Sequence, residues 1–129
     1  MGRIALIAHD GKKEELLELV HDHVLVLQDE RLVTTDTTGR LIADRFGLDV
    51  ERMASGPHGG DLQVGALVAS GDVALVVFLR DPLASHPHEP DIQALMKICD
   101  VHRIPLATNA ATAELCLVAL GRNELGRAA

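Results

Sequence analysis

"VALVVFL" (residues 73–79) leads into the polar stretch "RDPLASHPHEPD" (80–91) and then into "IQALMKICDVH" (92–102). An apolar run with no polar alternation marks a strand covered on both faces, as in the middle of a parallel sheet. Ile92, Leu95, Met96 and Cys99 stand at i, i+3, i+4 and i+7, one face of a helix, with Pro90 just ahead of its start. The unit is therefore strand, long loop, helix, and it recurs in both directions along the chain. "RIALIA" (3–8) precedes "HDGKKEE" and a helical pattern carrying Leu16, Leu17, Leu19 and Val20. "ERLVTT" precedes "TGRLIADRFG", "ERMAS" precedes "DLQVGALVASG", and "IPLAT" precedes "NAATAELCLVAL". Five apolar runs alternating with five helical patterns imply an α/β fold: a three-layer sandwich with a five-stranded parallel sheet and helices on both faces.

The 129 residues suit a single domain, taken as 1–129, with enough apolar material for a core without covalent staples. Twelve Lys and Arg against 19 Asp and Glu give a formal charge of −7, and there is no Trp or Tyr and only two Phe. That leaves neither a basic stripe nor stacking rings for nucleic acid. Cys99 and Cys116 both fall among apolar residues of helical patterns, as expected of small core hydrophobes in a reduced, cytoplasmic protein. The first apolar run is too short for a signal-peptide core, so neither export nor membrane anchoring is expected.

In an open parallel sheet, ligands sit at the carboxyl ends of the strands, which makes the segments after the strands the informative ones. "HDGKK" (9–13) offers His9, Asp10, Lys12 and Lys13, a solvated loop whose lysines could also reach a phosphate. "TTDTTG" (34–39) brings hydroxyls at Thr34, Thr35, Thr37 and Thr38 to the start of a helix, where caps and turns are the ordinary explanation and phosphate binding the functional one. "SGPHGGD" (55–61) sets glycines before Asp61. No Walker A ending follows a strand, and no G-x-G-x-x-G does, so nucleoside triphosphate and dinucleotide sites lose their best support. "HPHEPD" (86–91) places His86, His88, Glu89 and Asp91 together; two prolines stiffen it and no second ligand cluster stands out, so a hydrogen-bonding or acid/base histidine ranks above a metal site. His21, His23 and His102 read as surface residues. Asp10, Asp61, Asp81 and Asp91 gather carboxylates around an anion cradle, an unfavourable arrangement unless one of them acts, for instance as a base toward a carbon acid.

In order and spacing, "IALIAHDGKK", "TTDTTG", "SGPHGGDLQVGAL", "FLRDPLASHPHEPDIQAL" and "IPLATNAATAE" resemble the methylglyoxal synthase family over nearly the whole chain, from about residue 4 to 114. The resemblance implies a carbon-oxygen lyase that turns dihydroxyacetone phosphate into methylglyoxal and inorganic phosphate, with no metal or organic cofactor. It implies Asp61 as the base and His88 as a hydrogen-bond donor and proton shuttle. Lys13, Thr35, Thr37, Thr38, Ser55 and Gly56 then hold phosphate and substrate, while His9, Asp10, Asp81 and Asp91 line and orient the site. The resemblance also implies a homohexamer. Asp36 departs from the family's usual glycine; its side chain is expected to point outward, leaving its backbone for the substrate. The tail also departs: neither Arg122 nor Arg127 aligns with the arginine that reaches a neighbouring subunit's phosphate site, so phosphate-linked cooperativity is not expected. The alternative is a non-catalytic regulatory domain of the same fold, as in carbamoyl phosphate synthetase, and a purine-pathway cyclohydrolase domain ranks third. Asp61, His88, Asp81 and Asp91 occurring together favour the enzyme.

Overall fold

The computed structural model describes residues 2–125. Strands β1 (Arg3–Ala8), β2 (Leu32–Thr35), β3 (Val50–Met53), β4 (Val73–Leu79) and β5 (Leu106–Ala107) form one sheet in the order β3-β2-β1-β4-β5, and every pairing is parallel. Helices α1 (Lys13–Asp22), α2 (Val24–Leu27), α3 (Asp36–Phe46), α4 (Gly60–Ala69), α5 (Glu89–Val101) and α6 (Ala110–Gly121) cover both faces.

Alternation along the two central strands divides the core. Ile4, Leu6 and Ala8 of β1 and Leu75, Val77 and Leu79 of β4 point toward α1, α3 and α6, where Leu16, Val20, Ile42 and Leu117 meet them. Ala5, Ile7, Val76 and Phe78 point the other way, onto Val64 and Val68 of α4 and Ile92, Leu95 and Cys99 of α5. Burying each of these large side chains is worth roughly 1.5–3 kcal/mol, so both layers contribute to holding the sheet. The unalternating sequence of β4 follows directly from this double coverage, and so does the one-sided apolar stripe of α5.

Local boundaries differ from expectation in two places. The first helical pattern breaks at His23 (φ −119°, ψ 21°) into α1 and the single turn α2, giving six helices rather than five. His23 also corrects its reading as a surface residue. Its side chain is only 11% exposed and its Nε2 lies 2.6 Å from Glu114 Oε2 of α6, so the break tucks the imidazole against another helix. The second difference is that α3 begins at Asp36, immediately after β2, which places Thr37 and Thr38 in its first turn rather than in a loop. His21 and His102 are exposed as expected.

The strand order reverses direction between β1 and β4, the topological switch point where a crevice opens beyond the strand ends. Among the described residues no helix is long and apolar enough to cross a membrane.

Candidate active site

Beyond the carboxyl ends of β1 to β4 lies a cavity of about 380 Å³. Asp10 and Lys13 reach it after β1, Thr35 at the end of β2 and Thr37 just beyond it, Ser55 and Gly56 after β3, and Asp81 and His88 after β4, with Asp61 of α4 also lining it. Nine of the residues singled out in the sequence therefore line one space. Sheet topology brings them together, because they come from the ends of four neighbouring strands and the segments that follow.

Asp61 is the second residue of α4, and the approach to that helix is built for close contact. Gly59 takes φ +95°, a left-handed conformation that favours glycine. At Gly60 a Cβ would lie 1.9 Å from the carbonyl oxygen of Ala54, so the helix start presses directly on the end of β3. Asp61 is thereby driven into the fold with 1% of its surface exposed, and neither carboxylate oxygen has a hydrogen-bond partner among the described residues. His88 Nε2 stands 3.5 Å from Asp61 Oδ2, an approach rather than a bond. Burial raises the carboxyl above its ordinary range; His88 opposes that shift, the Asp91 charge adds to it and His86 opposes it. A buried, unbonded carboxylate costs free energy wherever it occurs, and such groups concentrate at functional sites. Gly56 matters for the same reason: a Cβ there would come within 2.8 Å of His88 Nε2 and 3.4 Å of Asp61 Oδ2.

On the opposite wall, Lys13 donates from Nζ to the Ala8 carbonyl at 2.8 Å and pairs with Asp10 Oδ1 at 3.1 Å, which fixes one positive charge over the end of β1. Thr35 precedes the first turn of α3 without capping it through its side chain, and the buried Oγ1 of Thr38 has no partner among the described residues. The Thr35 and Thr37 side chains that line the cavity, together with the free N–H groups of a helix start, offer donors of the kind an anion takes. Ser55 Oγ lies 2.7 Å from His58 Nδ1.

Of the site residues weighed through the family resemblance, four do not line the cavity. Asp36 turns away and sits 3.7 Å from Arg40 and 3.8 Å from Arg52, so two guanidinium groups neutralise it outside the cradle. Thr38 is buried behind the wall, and Asp91 is the third residue of α5, whose N-cap position is held by His88. His9 is 7% exposed; its Nδ1 accepts the Asp81 N–H at 2.8 Å, and its Nε2 is buried without a partner. Burial first, then the His86, His88 and Arg80 charges, push this imidazole down to about 4, while Asp81 opposes. His9 is therefore neutral over the physiological range, and because Nδ1 accepts, Nε2 carries the proton.

His86, named in the sequence beside His88 but given no role of its own, also lines the cavity, its ring stacked on His9 at a 3.6 Å centroid separation. The alternating histidines of "HPH" were the available signal, but nothing local indicated that His86 would meet His9 from the first loop. No set of three His, Cys, Asp or Glu side chains among the described residues is arranged to hold a metal ion. Arg122 follows the end of α6, and Arg127 lies outside the described residues.

A family profile described as an MGS-like domain matches residues 15–108. The chain is 57% identical over 121 residues to a methylglyoxal synthase of Burkholderia lata, covering 94% of this chain and 93% of that protein. With a methylglyoxal synthase of Moorella thermoacetica it shares 58% identity over 115 residues, covering 89% and 90%. The crystal structure of methylglyoxal synthase from Elizabethkingia anophelis NUHP1 superposes with a TM-score of 0.84 at 40% identity, over 90% of this chain and 76% of that one.

Proposed function

Since the chain belongs to the methylglyoxal synthase family, we propose that it converts dihydroxyacetone phosphate to methylglyoxal and inorganic phosphate. The single observation that carries this reading is Asp61, a buried carboxylate without a hydrogen bond, facing a cavity whose other wall is a cation and a helix start. The whole chain, 1–129, is taken as the functional unit.

Lys13, Thr35, Thr37 and the N-terminal turn of α3 receive the phosphate, with Thr38 supporting them from behind. The hydroxymethyl carbon then lies over Asp61, which removes one proton from it. The electron pair passes to the ketone oxygen and an enediolate forms. His88 and the backbone N–H of Gly56 are the donors aimed at that oxygen, with His9 packed behind them, and such donors act most strongly where water is excluded. The enediolate collapses: the hydroxyl on the deprotonated carbon gives its proton to the departing phosphate and becomes the aldehyde carbonyl, the double bond shifts to the terminal carbon, and the bond from that carbon to the bridging oxygen breaks with its electron pair going to phosphate, leaving the enolate of methylglyoxal. Transfer of the proton held by Asp61 to the terminal carbon gives methylglyoxal and restores the carboxylate. Elimination requires the breaking bond to stand roughly perpendicular to the enediolate plane, a task for the grip on the phosphate. Asp81 and Asp91 orient these groups: Asp81 holds His9 through its N–H, and Asp91 adds negative field at Asp61.

A raised Asp61 pKa strengthens the base by bringing it closer to the operating pH. The same reading includes a cytoplasmic homo-oligomer, a hexamer by family resemblance. Purified protein given dihydroxyacetone phosphate is expected to release methylglyoxal and phosphate in equal amounts; phosphate release without methylglyoxal would identify a phosphatase instead.

A further inference from the structure

Three imidazoles meet at one end of the cavity. His9 and His86 are stacked with ring centroids 3.6 Å apart and planes inclined by 22°, and His88 meets both edge-on at 6.0 and 5.6 Å. The peptide of Asp81 ties the stacked pair together. Its N–H donates to His9 Nδ1 at 2.8 Å, and its carbonyl accepts from His86 Nε2 at 3.3 Å. A carbonyl only accepts, so His86 carries its proton on Nε2 when neutral. His86 is the member of the pair that faces the cavity, whereas His9 lies behind it with an Nε2–H that no acceptor among the described residues takes. Phe78 closes the other side of His9, edge-on at 5.1 Å.

We propose that His86 is a positioning residue for His9: stacked on it from the cavity side and tied to the same Asp81 peptide, it fixes the His9 ring and, through that ring, the orientation of His88, the donor that lines the cavity. This rests on the reaction proposed above. A donor held in place before the reaction acts on the transition state more than on the ground state, so its misplacement lowers kcat more than it raises KM. The titratable and charged groups around His9 are His86, His88, Arg80 and Asp81, and removing His86 takes away both cover and a neighbouring charge.

The test compares His86→Ala with His86→Gln, whose flat amide can lie on His9 and still donate to the Asp81 carbonyl. His86→Ala is expected to lower kcat about tenfold or more with KM nearly unchanged, and His86→Gln to restore most of the loss. Nitrogen-15 imidazole spectra are expected to show His9 as a single Nε2–H tautomer titrating near 4 in the wild type, and titrating at higher pH in His86→Ala. An Ala variant with wild-type kcat and an unshifted His9 would overturn the proposal, as would a Gln variant as impaired as Ala. Mixed His9 tautomers in the wild type at neutral pH would overturn it without any variant. Absence of wild-type turnover on dihydroxyacetone phosphate would overturn the reaction itself, whereas normal wild-type turnover with an unimpaired Ala variant would overturn only the role of His86.

Discussion

At Asp61, function and stability pull in opposite directions. Both carboxylate oxygens are buried without hydrogen bonds, and leaving such a group unsatisfied costs about 1–3 kcal/mol. Asp61→Asn leaves an equally unbonded amide but sheds the buried charge, so it is expected to stabilise the fold, measured as a higher urea midpoint at pH 7. Asp36 presents the contrary case. Its pairing with Arg40 and Arg52 keeps its charge outside the cradle, so Asp36→Gly is expected to change KM by less than about tenfold, worth ~1.4 kcal/mol. A larger fall in KM would show that the carboxylate reaches the phosphate.

Elements deliver these residues to the cavity, and the junction of β3 with α4 is the tightest of them. Gly60→Ala would drive a Cβ to 1.9 Å from the Ala54 carbonyl oxygen and displace the residue beside the base. It is expected to cost about 1–3 kcal/mol and to lower activity as well. Gly65→Ala, on the same helix, meets only Leu95 Cδ1 at 3.8 Å, an ordinary contact. It is expected to leave activity intact and stabilise the protein by up to about 1 kcal/mol through helix propensity; thermal melts of the two variants side by side check both statements. Elements whose patterns are set by burial were legible in the sequence. The unbroken β4 and the i, i+3, i+4, i+7 stripe of α5 record which faces are covered, and Ile92, Leu95 and Cys99 are buried accordingly. What escaped depends on residues remote in sequence. His23 is covered because Glu114 meets it, and the turn-forming composition of "TTDTTG" left the first residue of the expected helix open until β2, seated in the sheet, set it at Asp36. Likewise, the ends of the strands could be recognised as site-forming segments, but the stack of His86 on His9 exists only because β1 and β4 are neighbours.

For the whole molecule, His9 and Asp61 give opposing responses to acid. His9 has its pKa lowered from 6.5 to about 4, so its contribution to stability is fully present above 6.5 and is lost as pH falls toward 4. Asp61 has its pKa raised from 3.8, so its penalty applies at neutral pH and is relieved as pH falls through the folded value. Urea midpoints between pH 7 and 4 are therefore expected to fall less steeply in His9→Gln than in the wild type, and more steeply in Asp61→Asn. Parallel strands on either side of the β1/β4 switch point gather a base, a cation and a helix start from loops that are separate in sequence. The measurement that bears most directly on the role of that assembly is methylglyoxal release from dihydroxyacetone phosphate by the wild type and by Asp61→Asn, with the fold of the variant verified by its urea midpoint. The wild type is expected to release methylglyoxal steadily and a folded, more stable Asn variant none above background; release by that variant at the wild-type rate would rule out Asp61 as the base.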